Sequence, residues 1–414
     1  MSVDNRIQRQ SFQHLSSGYL MTASNRHNDI KNIKILSSEL TIWLRDSALP
    51  LWSTAGIDPQ TKTSLDVIDL KTGAGLPVTR RARVVSRQIY SFLEGKKLGW
   101  TGPAEELAAE LYSWYTSTFL MADGHYASCV DINNTVTDTS FDLYNQSFSL
   151  FGFAKLAADL PACKTSASEH ADKLLDHLMT AYRHPEAGFQ EASPAKAPLC
   201  SNPHMHMFEA CLAWEKVSSD TAWADLADEI AELALTRFID PVSGGLREFF
   251  NSDWTPFDGD KGRVMEPGHQ FEWAWLLTRW GQSRMDAGAL IAARRLYDIA
   301  WTYGIDESRG VAFMALNDDF SVRDPMARLW GQTEWIKAAV ALAEVSTGAE
   351  RDAYLADIPE AVQALKVYFA DVPAGLWRDK LSPDGTFVDE PAPASSLYHI
   401  VCAISELHDF AESL

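Results

Sequence analysis

Apolar residues recur at helical spacing through most of the chain, and short glycine-centred breaks punctuate them. Thr221 to Arg237 (TAWADLADEIAELALTR) and Met285 to Thr302 each predict an amphipathic helix. The breaks read Met121 to Tyr126, His184 to Phe189, Ser243 to Arg247, Ser308 to Ala312 and Pro373 to Trp377. Their central glycines, Gly124, Gly188, Gly245, Gly310 and Gly375, are separated by 64, 57, 65 and 65 residues. One period earlier, Gly56 opens a similar turn, followed by the strand-like Ser64 to Leu70, which makes six units. A unit of about 60 residues holding two helices and a hairpin matches no common open solenoid. Six helix pairs can instead close into a ring. The expected fold is therefore all-α, an (α/α)6 barrel over residues 31–414 with short β-hairpins at one end, preceded by an N-terminal extension over 1–30.

Polar and aromatic residues gather where one helix of each unit starts. The segments are Arg87 to Tyr90, Asp142 to Phe148, Asn202 to Glu209, Glu266 to Trp273, Arg328 to Glu334 and Pro393 to His399. They are in phase with the glycines: Asn202 follows Gly188 by 14 residues, His269 follows Gly245 by 24, Gln332 follows Gly310 by 22 and His399 follows Gly375 by 24. In a ring such positions converge on one central cavity. In Glu266-Pro267-Gly268-His269-Gln270-Phe271-Glu272-Trp273, Pro and Gly break the chain ahead of the histidine. A helix starting near Gly268 puts His269 in its first turn, and the i, i+3 spacing places Glu272 beside it. A carboxylate so placed can fix the imidazole tautomer and tune it for proton transfer. His204 and His206 are two apart and cannot share a helix face; His204 is read as structural.

Composition narrows the function. The chain has 414 residues, 46% of them apolar and 22% charged, with a net charge of -20, which argues against a nucleic-acid partner. Met1 to Asn28 is polar without an apolar core, so no secretory signal is expected, and no apolar run is long enough for a membrane span. Cys129, Cys163, Cys200, Cys211 and Cys402 are scattered and form no C-x-x-C pair, as expected of reduced thiols in a cytoplasmic protein. With 14 Trp and 12 Tyr there are rings to spare for a carbohydrate site, where flat faces pack on sugar C–H groups. A His-x-His plus a distant His-x-x-Glu could in principle supply a metal site, but no H-E-x-x-H or C-x-x-C cluster backs it; neither metal nor cofactor is expected. A non-enzymatic scaffold would have no need of inward histidines. The oligomeric state is not legible.

Four of these segments carry a resemblance. Asn-Pro-His-Met-His, Glu-Pro-Gly-His-Gln-Phe-Glu-Trp, Trp-Gly-Gln-Thr-Glu and Pro-Ala-Pro-Ala-Ser-Ser-Leu-Tyr-His, in this order and spacing, resemble the N-acylglucosamine 2-epimerase superfamily, nearest its mannose isomerase and mannose-6-phosphate isomerase-like branch. The likeness runs from about Leu40 to Leu407. It implies an (α/α)6 barrel and metal-independent aldose–ketose isomerisation or 2-epimerisation of a monosaccharide. By the resemblance, His269 and His399 match the two catalytic histidines, and Arg87, Tyr144, Asn202, His206, Glu272 and Trp330 match substrate-contacting positions. It implies His399 as the C2 base and C1 acid, and His269, oriented by Glu272, at the ring oxygen and O1. Arg87 would neutralise a cis-enediolate, Asn202 and His206 would hold hydroxyls, and Trp330 would form an apolar wall. The bland alternatives are a surface charge for Arg87, in a run with Arg80, Arg81 and Arg83, a helix-start residue for His206, and packing for Tyr144 and Trp330. The turn after Gly56 has Thr61-Lys62-Thr63 in place of the family's Gly-Gly-Phe, which puts the first hairpin in question. D-Mannose and D-fructose are the expected pair, with D-lyxose and D-xylulose as further candidates. A sugar phosphate would need extra cations at the cavity mouth, for which Arg247, Arg263 and Arg323 are candidates.

Overall fold

Helices that are apolar all round and helices that are apolar on one stripe separate into two concentric shells. The computed structural model describes residues 23–414, with side chains from residue 27. Its twelve long helices are α1 (Ala23–Trp43), α2 (Ala82–Lys97), α3 (Ala104–Phe119), α4 (Leu143–Asp159), α5 (Lys164–Ala181), α6 (Ser201–Trp214), α7 (Thr221–Leu233), α8 (Pro267–Arg284), α9 (Ala287–Gly304), α10 (Leu329–Val345), α11 (Gly348–Lys366) and α12 (Ser395–Ser413). The even-numbered helices form the inner ring. They pack in chain order, and α12 closes on α2. The odd-numbered helices back them, with α1 seated between α11 and α12. Of the extension expected over 1–30, residues 1–22 lie outside the described residues, and α1 runs through the expected boundary.

The sequence accounts for the sorting. Helix α8 buries every residue from Pro267 to Thr278, and α10 every residue from Gly331 to Ala343. A helix without a polar stripe is stable only with neighbours on all sides. In α9 burial falls on Ala289, Ala293, Leu296, Tyr297 and Ala300, at helical spacing, and the other face meets water. The expected helices at Thr221 and Met285 are α7 and α9. Asp220 and Asp286 cap them, accepting from the Ala222 and Ala289 N–H groups. Beyond Leu233 the predicted helix continues as a wider turn, Ala234–Phe238.

The hairpins gather where the inner helices start. Two-residue strands ahead of inner helices pair antiparallel with the following unit: Arg80 with Val130, Leu199 with Phe250, Val264 with Asn317 and Ala327 with Leu381. Val67–Ile68 pairs with Ala392–Pro393 and closes this belt, as α12 closes the ring. A second device ties hairpin to helix. The amides of Gln146, Gln270 and Gln332 each accept from one backbone N–H and donate to the carbonyl of the same residue: Tyr126, Leu246 and Ala312 respectively. In α6 that place is held by His204, whose Nε2 accepts from Phe189 N–H while Nδ1–H donates to Cys200 O. The ring reaches it because Gly188 has no side chain; a Cβ there would lie 2.7 Å from His204 Nε2. His204 is structural. The first hairpin is present despite its sequence: Ile57 bridges Ser64, and Lys62 takes the left-handed conformation (φ 57°) that glycine takes in the other turns.

Candidate active site

One residue in the second turn of each inner helix faces the barrel axis: Arg87, Phe148, His206, Glu272, Glu334 and His399. The second residues of α4, α6 and α10, namely Tyr144, Asn202 and Trp330, lie one turn nearer the hairpins. Between them is a cavity of about 210 Å³, lined by all eight residues singled out in the sequence: Arg87, Tyr144, Asn202, His206, His269, Glu272, Trp330 and His399. Glu266, Arg328, Met314, Ser395 and Ser396 also line it. Its size suits a single sugar ring better than the roughly 300–1,000 Å³ sites that hold drug-sized ligands.

Three buried histidines face this cavity, and in each Nδ1 is taken by a carboxylate. His269 donates to Glu248 Oε2 at 2.9 Å, His399 to Glu334 Oε1 at 2.9 Å and His206 to Glu209 Oε2 at 3.1 Å. Each ring is thereby oriented with Nε2 left for a ligand. The partner of His269 is not the one expected. Glu272 makes no hydrogen bond to it; the ring is held by Glu248, on the hairpin before the helix, with Glu266 at 3.5 Å. Pro267 starts α8, so His269 turns back toward the hairpin layer while Glu272 sits deeper on the axis. Both Glu272 oxygens are buried without a hydrogen-bond partner, and Lys337 Nζ lies 3.8 Å from Oε1. The spacing gave no sign of Glu248, Glu334, Glu209 or Lys337 as members. Glu334 was within reach, since it occupies in α10 the position of Glu272 in α8.

Arg87 is 4% exposed, not a surface charge. It donates to Tyr144 Oη (2.6 Å) and to Ser395 O (3.2 Å), and its guanidinium lies 4.0 Å from the Phe148 ring centre. Tyr144 thereby orients the arginine from the cavity wall. Trp330 stands between the two histidines, 4.9 Å from the His269 ring and 6.1 Å from that of His399. Gly268 makes room for it: a Cβ there would come within 2.4 Å of the indole. Asn202 Oδ1 is buried without a partner, a group that costs stability until a ligand satisfies it.

The surroundings drive the histidines apart. Burial opposes charge on His269, but Glu248 and Glu266 outweigh it and raise the ring to about 10. Burial, joined by the cations of Arg87 and Lys337, holds His399 well below the ordinary histidine range. Burial lowers His206 to about 4 against the pull of Glu209. At neutral pH the cavity therefore holds a cationic imidazole and a neutral one on either side of Trp330, the pairing that separates an acid from a base. The three arginines considered for a phosphate do not line the cavity. Arg247 pairs with Asp240 and Asp318, Arg263 with Asp318 and Asp319, and Arg323 with Asp260. Among the described residues no helix is long and apolar enough to cross a membrane.

Comparison with known proteins places the chain in a family. The sequence profile of the N-acylglucosamine 2-epimerase (GlcNAc 2-epimerase) family matches residues 70–403. The chain is 49% identical over 381 residues to a mannose-6-phosphate isomerase of Rhizobium meliloti (strain 1021), covering 91% of this chain and 98% of that one. It is 27% identical over 285 residues to a D-mannose isomerase of Thermobifida fusca, covering 63% and 67% of the two chains. In fold it is similar to a crystal structure of D-mannose isomerase (TM-score 0.79, 19% identity, 94% of this chain and 99% of that one). It is equally similar to the cellobiose 2-epimerase of Spirochaeta thermophila DSM 6192 (TM-score 0.79, 20% identity, 92% and 98%).

Proposed function

This chain belongs to the N-acylglucosamine 2-epimerase family and is an isomerase of sugars, and from that premise we propose that it interconverts D-mannose and D-fructose through a cis-enediolate. The observation that carries the reading is the opposed state of the two histidines flanking Trp330. His269, kept cationic by Glu248 and Glu266, protonates the ring oxygen as the C1–O5 bond breaks, and the neutral ring then takes the O1 hydroxyl proton, giving the open-chain aldehyde. His399, neutral and oriented by Glu334, takes the proton from C2 through Nε2. The electron pair moves into the C1–C2 bond, and Arg87 meets the charge that develops on the oxygens. His269 gives a proton to O1 and takes that of O2, and His399 returns the C2-derived proton to C1, leaving a carbonyl at C2. Asn202, His206 and Glu272 bind hydroxyls, and Trp330 packs on the C–H face of the sugar. D-Lyxose and D-xylulose, which share this end of the molecule, are further candidate substrates. Residues 31–414 would form one catalytic domain.

A second reading has its own support. The 49% identical relative bears the name mannose-6-phosphate isomerase. Against a phosphate stand the net charge of -20 and the engagement of Arg247, Arg263 and Arg323 by aspartates. NMR of products formed in deuterated water from mannose, and separately from mannose 6-phosphate, tests both. The expected product from mannose is fructose with deuterium at C1. Glucose labelled at C2 as the early product would mean 2-epimerisation. A kcat/KM for the phosphate about a hundredfold above that for mannose would assign the sugar phosphate as substrate.

A further inference from the structure

Helix α10 carries a lysine that the steps above do not use. Lys337 is fully buried beneath the cavity floor. Its ammonium lies 2.6 Å from Glu334 Oε2, 3.8 Å from Glu272 Oε1 and 3.7 Å from the Trp275 ring centre. A lysine with no exposed surface persists only where fixed partners offset its lost hydration. Glu334 divides its two oxygens: Oε2 meets Lys337, and Oε1 accepts from His399 Nδ1. One carboxylate thus joins a fixed cation to the imidazole. Glu272, Glu334 and His399 lie close enough together to hold a metal ion, yet the ammonium of Lys337 already sits against two of them.

We propose that Lys337 is the built-in cation of this site, holding Glu334 as the acceptor that fixes the His399 ring so that Nε2 stays unprotonated toward the sugar. This rests on the reading of His399 as the proton-transfer base. Lys337 does not touch the sugar; it is a positioning residue that acts through Glu334. Burial pushes the Glu334 carboxyl up, and the ammonium is the main influence pulling it back. The other groups facing His399 do not replace it. Arg87 on α2 is committed to Tyr144 and Ser395. On α6, His206 and Glu209 are bonded to each other, and Glu209 also accepts from Tyr398. Glu272 on α8 is a carboxyl that burial pushes well above its usual range, and Cys402, on the helix of His399 itself, has its thiol pushed above its usual range by burial. With Lys337 gone, burial and Arg87 still act on His399, but Glu334 loses its balancing cation and shares a proton with the ring at higher pH, which weakens the base on the acidic side.

The test is the pH profile of kcat/KM for Lys337→Met and Lys337→Arg, with His399→Gln as control. In the Met variant the acidic limb is expected to rise by at least about one pH unit, with about tenfold loss on that limb. Arg, which keeps the cation, is expected to hold the limb near that of the wild type. A folded Met variant with an unmoved limb, or an Arg variant shifted as far as Met, overturns the proposal. Should the Met variant not fold, long-range 1H–15N spectra of the wild type decide, with the His399 signal identified by its loss in His399→Gln. A neutral ring carrying its proton on Nδ1 is expected at about pH 6.5, and a cationic ring or the other tautomer overturns the proposal. If His399→Gln keeps more than about a tenth of wild-type kcat, the base reading itself fails. An inactive His399→Gln beside an unmoved Met profile removes only the role of the lysine.

Discussion

His269 Nδ1 lies 2.9 Å from Oε2 of Glu248, a strand-end residue of the preceding hairpin that also accepts from the Ser201 hydroxyl at 2.9 Å. The hairpin end of the barrel therefore sets the charge of an active-site histidine. Replacing Glu248 with Gln keeps the shape and removes the charge. The expected result is an alkaline limb of kcat/KM that moves to lower pH, because His269, raised to about 10, loses its main support. An alkaline limb identical to the wild type would detach His269 from the acid role.

His269→Ala and His399→Ala are each expected to lower kcat by about a hundred- to ten-thousand-fold, the usual range for a positioned acid or base. Circular dichroism should stay native in both. Either variant, folded and retaining more than about a tenth of wild-type turnover, would be misassigned.

His204 and His206 should part company on substitution. Gln already occupies the place of His204 in α4, α8 and α10, so His204→Gln can restore the contact with Phe189 and should keep kcat within about threefold of wild type. His204→Ala orphans the Phe189 N–H and should cost roughly 1–3 kcal/mol in denaturant unfolding. His206→Gln removes the Nε2 acceptor from the cavity, and its expected effect is a raised KM rather than a lost fold.

Three buried histidines should weaken the fold on mild acidification, against the opposite pull of buried carboxyls such as Glu191 and Glu266, which burial raises to about 7. His204 and His206 are lowered to about 4, and His399 is lowered too, all chiefly by burial. Groups with depressed folded-state values bind protons first in the unfolded chain. The unfolded state therefore gains as pH drops from about 6.5 toward 4, on the order of 1 kcal/mol per unit for each fully buried ring. His269, raised, is protonated in both states across this window and contributes no slope. The check is a comparison of wild type with His204→Gln: if the variant's melting temperature falls between about pH 6.5 and pH 5 as steeply as that of the wild type, the neutral state of the His204 ring is contradicted.

Much of this site is legible in the sequence because helix phase does the placing. Tyr144, Asn202 and Trp330 each stand second in an inner helix, and Arg87, His206 and Glu272 each stand sixth. Anyone who places the helix starts correctly recovers the cavity. Partner choice is another matter. Glu266 and Glu272 are both three residues from His269, so spacing alone does not choose between them; Pro267, by starting the helix, turns the ring toward Glu266 and Glu248. Glu248 lies in a hairpin that reads only as a turn. Lys337 reads as an ordinary helix lysine, and its burial depends on α8 and α12 arriving beside it. Lys62 in the first hairpin shows the converse, a turn that forms without the glycine its sequence lacks.

The closure of the ring by α12 against α2 and α1 sets an order of events during synthesis. His399 belongs to α12; its hydrogen-bond partner Glu334 comes from α10, and Arg87, which donates to Ser395 O at the start of α12, comes from α2. A ribosome that has delivered everything up to α11 has made eleven of the twelve long helices but not the one that carries His399. The inner helices of such a chain face water with surfaces that stay apolar until α12 docks. Activity should therefore appear in one step as α12 emerges and docks, and quality-control proteases should find their easiest prey in chains stalled just short of it.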